Sequence, residues 1–496
     1  MDRLASSRDC RQLPASANQE CVIAMTVQAM SQCRSPAEWQ PEDAGFWAEQ
    51  GRALAIRNLC ISIGALVLAF AVWMVWSTIV VLLPGAGFTL STDELFWLTA
   101  APGLSGATSR LVYLAILPAF GGRAWTTLST ALLLVPAFGL GLALQHPGTP
   151  YWVLLALALL CGLGGGNFTL SMANIGTAFP QSRRGWALSM NAGLGHIGIA
   201  AVQFLVPLAI TVPLFGDLAG EPLAWWDDGI MRPLWLQNAA FVWVPFIVAA
   251  TAAAWFGMKD VPGARPSLKE QMGILRCRHT WVMCWLYIGT FGSFVGFSAA
   301  LPLLVKTQFP SADPLGYVFL APLVASLIAP LANGLADRVG GARLTLWCFI
   351  AITVANAGML FLLTGRNEAV PLVPFFGCCL LFAMAAGIGN AATYQMVPVI
   401  VLTLRLRTHE QRGDFLHGSA GHLQVLTKAA REAATVLGLI SAIAAYGAFY
   451  IPTLLGLSLS LSGEVIPALQ MFLLFYLSCI WLTWRCYLRR DVDIRF

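Results

Sequence analysis

Charge is what this chain has least of. Only 11% of its 496 residues are Asp, Glu, Lys or Arg, against about 25% in an ordinary soluble domain, while 58% are apolar. That balance excludes a water-soluble globular fold and puts most of the chain in hydrocarbon. The net charge of +5 is too small and too dispersed for nucleic acid. The chain opens without a short apolar run and a small-residue cleavage site, so no secretory signal is expected. Its twelve cysteines lack a framework. Cys60, Cys161, Cys284, Cys348, Cys378, Cys379 and Cys479 fall inside apolar runs and read as small hydrophobes. Cys10, Cys21 and Cys33 stand in the polar N-terminal stretch without CxxC spacing, which argues against zinc. No nucleophile–base pair or metal cluster appears in the apolar segments. An enzyme, a metal and a cofactor are therefore not expected.

What is present is long apolar runs. About 20 mostly apolar residues cross the bilayer core as a helix. Runs of that kind occur at 58–83, 93–119, 124–145, 150–178, 185–214 and 233–258, and again at 279–305, 313–336, 342–364, 371–402, 427–456 and 466–487. These are spans 1 to 12. The fold class expected is an all-α membrane protein with twelve transmembrane helices in two six-helix pseudo-repeats. The loops at 120–124, 179–185, 259–278, 337–343 and 403–426 carry Arg123, Arg183, Arg184, Lys259, Arg265, Lys269, Arg276, Arg278, Arg338, Arg343, Arg405, Arg407 and Arg412. The opposite loops carry only Arg232, Lys306 and Arg366. The excess predicts that the first set, and with it both termini, is cytoplasmic.

This gives a cytoplasmic tail at 1–50, with residues 1–35 expected to be disordered, and a first half at 51–258. A central cytoplasmic loop at 259–278, a second half at 279–487 and a tail at 488–496 follow. The halves repeat in detail. PAFGGRAWTTLST after span 2 corresponds to ADRVGGARLTLWC after span 8, and GGGNFTLSM in span 4 to GIGNAATYQ in span 10. Parallel repeats suit a transporter that rocks one half against the other around a central site.

Arg110 is the only charged residue between Glu94 and Arg123. It lies 11 residues before Gly121 at the loop. At 1.5 Å per residue it is about 16 Å up the helix, roughly half of the ~30 Å core. A structural ion pair would need a buried carboxylate, and no Asp or Glu lies well inside the first six spans. An arginine at the midplane therefore points to an anion-binding group facing a central cavity. Its fork of donors suits a planar oxyanion.

The chain resembles the NarK-type nitrate/nitrite porters of the major facilitator superfamily from about Trp39 to Tyr487. FWLTAAPGLSGATSRLVYLAILPAFGGRAWT (96–126), SMNAGLGHIGIAAVQFLVPL (189–208) and YIGTFGSFVGFSAALPLLVKTQFP (287–310) carry the resemblance. So do GLADRVGGARLTL (334–346) and REAATVLGLISAIAAYGAFYIP (431–452), the latter similar to the family's glycine-rich signature on span 11. The resemblance implies the major facilitator fold and alternating access. It also implies a multi-pass monomer in the lipid of a bacterial inner membrane, with nitrate and nitrite as partners. In that family two arginines, on spans 2 and 8, hold one nitrate between aromatic residues. Arg110 matches the first. Phe168, Tyr287 and Phe291 match positions lining the site, with helix packing as the plain alternative for each. Asn167, Gly193, Gly195, Gly389, Asn390 and Gly438 fall in the matching glycine-rich stretches and read as gating or packing residues. Asp337 and Arg338 belong to the superfamily's loop motif and read the same way. Arg431 and Glu432 form either a gate pair or a solvated helix end.

The second arginine does not match. The residue 11 before Gly340, the repeat mate of Gly121, is Ala329, and the resemblance puts the span-8 arginine at the same place. The span-5 signature usually ends in an asparagine that reaches the substrate; here AGLGHIG brings His196. Two span-11 glycines of the family correspond to Ala444 and Ala448, which stiffens any helix sliding. The function expected is nitrate/nitrite transport by exchange or proton-coupled symport, with the anion at Arg110, His196, Tyr287 and position 329. The alternatives are a carrier for another small inorganic anion and a transporter-derived anion sensor. His196 is either a neutral hydrogen-bonding substitute for asparagine or a titrating ligand.

Overall fold

The computed structural model describes residues 39–116, 121–216, 220–227, 230–261, 275, 277–365, 371–411 and 420–489. The tail before Trp39, Arg265, Lys269, Arg276, Arg366, Arg412 and the last seven residues of the C-terminal tail lie outside the described residues. So do Cys10, Cys21 and Cys33, for which no zinc is expected, and the predicted disorder of 1–35.

Among the described residues eleven helices are long and apolar enough to cross a membrane. They fall on span 1 (Ala44–Leu82), span 3 (Gly122–Ala143), span 4 (Tyr151–Ala178), span 5 (Gln181–Ala209) and span 6 (Asn238–Gly257). In the second half they fall on span 7 (Arg278–Gln308), span 8 (Pro314–Ala332), span 9 (Gly341–Thr364), span 10 (Leu372–Arg407), span 11 (Glu432–Ser462) and span 12 (Ile466–Leu488). Span 2 is the helix Thr92–Ile116. It is the least apolar of the twelve because Pro102, Gly103, Ser105, Gly106, Thr108, Ser109 and Arg110 fill its middle. Those small and polar residues serve the protein interior, and the helix pays for them in hydropathy.

Burial follows the repeat. Spans 1 and 7 are central, with 89% and 94% of their most apolar windows buried, whereas their outermost counterparts, spans 6 and 12, have 28% and 33%. On the outer faces Phe256, Val373, Leu461, Phe361 and Trp152 are exposed, as side chains meeting lipid would be.

Two spans change helix type near mid-length. Span 4 passes through a 3-10 turn at Leu163–Gly166, where the glycines of LGGG lower helix propensity. Span 7 passes through a π turn at Ile288–Gly292, the sequence IGTFG. Single π turns within α-helices concentrate at functional sites. Here each irregular turn sets an aromatic ring: Phe168 is the second residue of the helix after the first, and Phe291 lies within the second.

The loop between spans 5 and 6 holds a hairpin, β1 (Leu223–Asp227) antiparallel to β2 (Ile230–Leu234), with Trp225 opposite Arg232. Trp225 packs on Gly85, just beyond span 1, where any Cβ would collide with its indole. The hairpin thereby caps the end of the first half away from the basic loops.

Among the described residues the halves meet chiefly along three helix pairs. Span 2 packs on span 11, where a Cβ on Gly103 would strike the Ala448 and Phe449 backbone. Phe96 of span 2 likewise fills the space over Gly456. Span 5 packs on span 8, with Pro330 against Gly193 and Phe204 against Phe319 at 4.9 Å. Span 1 packs on span 7. Gln203, fully buried, ties span 5 to span 7 by donating from Nε2 to the Ser298 carbonyl at 2.7 Å.

Candidate functional site

Arg110 is completely buried. Gly106 and Gly165 bring spans 2 and 4 so close that a Cβ on Gly165 would fall 2.8 Å from the Gly106 Cα. That approach lets Arg110 Nε donate to the Gly165 carbonyl at 2.9 Å. Nη1 donates across the halves to the Ser441 carbonyl of span 11 at 3.1 Å. Nη2 has no hydrogen-bond partner. No carboxylate among the described residues pairs with this guanidinium, so a structural salt bridge does not account for it.

Aromatic faces supply the rest of its surroundings. The guanidinium carbon lies 4.6 Å from the Phe168 ring centre, 4.9 Å from Phe291 and 5.5 Å from Trp73. Cation–π contacts of this kind are worth about 2 kcal/mol when desolvated. Phe168 comes from the first half and Phe291 from the second. Their rings are nearly parallel, 22° apart, with centres 5.9 Å from each other.

His196 closes the cluster from span 5. Its ring stacks on Phe168 at 5.8 Å and meets Phe70, Phe291 and Phe294 at 4.7, 5.5 and 5.5 Å. Nε2 has no hydrogen-bond partner. Three polar atoms thus stand without a partner in one aromatic cluster, Arg110 Nη2, His196 Nε2 and Trp73 Nε1. Unsatisfied buried groups in a native fold call for an explanation, and a polar ligand is one.

Tyr287 stacks on Phe291 at 5.3 Å, one ring further from the guanidinium. Its hydroxyl donates to Asn390 Oδ1 at 2.7 Å. A tyrosine hydroxyl used on an anion would have to leave that acceptor. Tyr394, four residues after Asn390 on span 10, lies 5.9 Å from the Tyr287 ring and extends the aromatic wall. Neither it nor Gln203 is singled out by the sequence reading. The period of span 10 puts Asn390 and Tyr394 on one face, and that was the available signal.

Ala329 is buried on span 8, and the next residue, Pro330, presses on Gly193 of span 5. The helix runs unbroken through the proline from Leu320 to Val339. Gly195 faces the Leu66 side chain, and Gly389 faces Thr290 and Cys348, so both are packed within their own halves. Asn167 lines a small cavity with Ser62, Leu66, Thr126, Leu170 and Ser171, and neither atom of its amide has a partner. Gly438 offers its carbonyl to the Ser441 hydroxyl at 2.9 Å. Asp337 and Arg338 are exposed. Glu432 forms a bidentate pair with Arg405, at 2.6 and 2.7 Å, from span 11 to span 10. The side chain of Arg431 lies outside the described residues, and with it the choice between a gate pair and a solvated helix end at Arg431 and Glu432.

Comparison with known proteins gives these positions a context. A family model described as Major Facilitator Superfamily matches residues 61–402. The nitrate/nitrite transporter NarU of Salmonella typhimurium is 42% identical over 92% of this chain and 96% of its own. NarU of Escherichia coli is 40% identical over 91% and 96%. The probable nitrate/nitrite antiporter NarK2 of Thermus thermophilus is 40% identical over 92% and 97%. Among solved structures, the human organic anion transporter MFSD10 (TETRAN) aligns with a TM-score of 0.51 at 14% identity, covering 88% of this chain and 99% of that one. The last likeness concerns the fold alone.

Proposed function

As the chain belongs to the NarK-type nitrate/nitrite porter family of the major facilitator superfamily, we propose that it carries nitrate and nitrite across a bacterial inner membrane by alternating access. It is a carrier and not an enzyme. One observation supports this reading most. A fully buried arginine without a carboxylate, and with one donor unsatisfied, stands between aromatic rings contributed by the two halves.

The chemistry follows from that arrangement. A planar monoanion takes two parallel donors from a guanidinium, here Nη2 and Nη1 once Nη1 leaves Ser441. His196 Nε2 offers a further hydrogen-bonding position to the same ion. Four phenylalanines surround the imidazole, which favours its service as a hydrogen-bonding group in place of the family's asparagine. A flat ion between two rings needs roughly 7 Å, twice a carbon contact distance of about 3.5 Å. Phe168 and Phe291 stand 5.9 Å apart, so loading parts them by about an ångström. Because the rings belong to opposite halves, anion binding and the rocking motion share one coordinate.

Both termini and the basic loops are assigned to the cytoplasm on the positive-inside argument. The two halves, 51–258 and 279–487, are the rocking bodies. The test is counterflow of labelled nitrate into proteoliposomes loaded with nitrate or nitrite. Accumulation driven by either anion is expected, and a protein that binds nitrate without flux rules the reading out.

A second reading is a carrier for another small inorganic monoanion. Ala329 and His196 stand where the family places an arginine and an asparagine; His196 lies in the aromatic cluster around Arg110, and Ala329 is buried beside the Pro330–Gly193 contact. In the same assay, strong counterflow with another internal anion and none with nitrite favours it.

A further inference from the structure

We propose that this carrier works as an electrogenic uniporter: nitrate crosses alone, without an obligatory counter-anion or proton. The inference rests on the reading above and adds the transport mode.

Obligatory exchange requires that the unloaded carrier cannot close and reorient. A ligand shifts a conformational equilibrium only by its differential interaction with the two states. Strict coupling to an anion therefore demands that closure be poor with protein groups alone. In a site with two arginines that condition is met by the mutual repulsion of two desolvated cations. Here the binding cluster holds one cation, Arg110, and Ala329 occupies the repeat-related position.

That one cation already has hydrogen-bond partners in both halves, although its Nη2 is without one. Nε donates to Gly165 of its own half and Nη1 to Ser441 of the other. Three aromatic rings face the guanidinium. The Ser441 carbonyl is the decisive partner, because it is main chain, comes from the opposite half and takes the donor an anion would take. It acts as an internal stand-in for the substrate oxygen. Closure with Ser441 and closure with nitrate are two ways of using the same hydrogen-bond donor, so the return step need not wait for an anion.

Proton symport finds less support at the same place. No Asp or Glu lies well inside any of the twelve spans, the four rings meeting the imidazole are all phenylalanine, and the charged group sharing Phe168 and Phe291 with it is the cation Arg110. Each cycle then moves one negative charge.

The experiment uses the full chain in vesicles loaded with labelled nitrate, with potassium higher inside than outside. Efflux is followed into anion-free gluconate medium, with and without valinomycin, and into medium containing nitrite. The proposal expects efflux into gluconate, accelerated about tenfold by valinomycin, because potassium leaving makes the interior negative and drives the anion out. External nitrite should add less than about a threefold further change. Three results overturn it. Efflux that needs external nitrite and ignores valinomycin establishes exchange. Efflux into gluconate that ignores valinomycin but rises when the interior is acidified establishes proton symport. Absence of flux under every condition, including counterflow, removes the transport reading itself, and only that result does so.

Discussion

At the residue scale the guanidinium fork carries the argument. A lysine at position 110 keeps the charge but offers a point cation on a flexible stem. It cannot hold Gly165 and a flat anion in one plane. Arg110→Lys is expected to weaken nitrate binding about 100-fold, or roughly 2–3 kcal/mol, as loss of a charged bidentate contact does. Isothermal titration of the inserted, monodisperse variant measures this, and affinity equal to that of the parent removes Arg110 from the site. His196→Asn makes the opposite case. Asparagine restores the donor but not the ring that stacks on Phe168 at 5.8 Å. Nitrate affinity is expected to change by less than about threefold if hydrogen bonding is the main contribution. A loss beyond tenfold would assign the histidine a role through its ring.

At the element scale, glycine placement decides how closely the halves approach. Gly103 has the Ala448 and Phe449 backbone where a Cβ would stand, so Gly103→Ala overpacks the contact of spans 2 and 11 by about 1–3 kcal/mol. The side away from the basic loops should then open more often. A cysteine at Phe449, at that contact, should react faster with a membrane-impermeant maleimide in Gly103→Ala than in the unsubstituted background. Equal rates would show that the contact does not gate that side. Much of the element plan was legible beforehand, since apolar runs of about 20 residues have few alternatives in a bilayer. Span 2 was readable despite its arginine because Arg110 is the only charge between Glu94 and Arg123, which leaves a run long enough to cross. The irregular turns in spans 4 and 7 were not readable. Glycine runs mark weak helix, but 3-10 or π geometry depends on what packs beside them. The hairpin at 223–234 had a local signal in the Asp228–Gly229 pair between apolar stretches. It was overlooked because a long loop between spans was being read for charge alone. The inter-half bond from Arg110 to Ser441 was out of reach, because a carbonyl acceptor leaves no trace in the sequence of side chains.

At the scale of the whole molecule, one substitution tests whether cavity charge sets the coupling. Ala329 is the repeat mate of Arg110, on a helix that continues unbroken through Pro330, with that proline seated on Gly193 of the other half. An arginine at 329 would enter a region whose neighbours are buried, without a carboxylate to receive it, and would face the first cation across the site. The cavity would then carry two charges before loading and one after, instead of one and none. Closure around two bare guanidinium groups is costly, and a monoanion between them repays part of that cost. Ala329→Arg is therefore expected to bind nitrate more tightly. It is also expected to lose at least about tenfold of its efflux into anion-free medium while retaining exchange against external nitrite. The ratio of exchange to uncompensated efflux, measured in one vesicle preparation, is insensitive to how much protein inserts. An unchanged ratio in a variant that still exchanges would show that coupling is set by helix packing at the contacts between the halves and not by the number of charges enclosed.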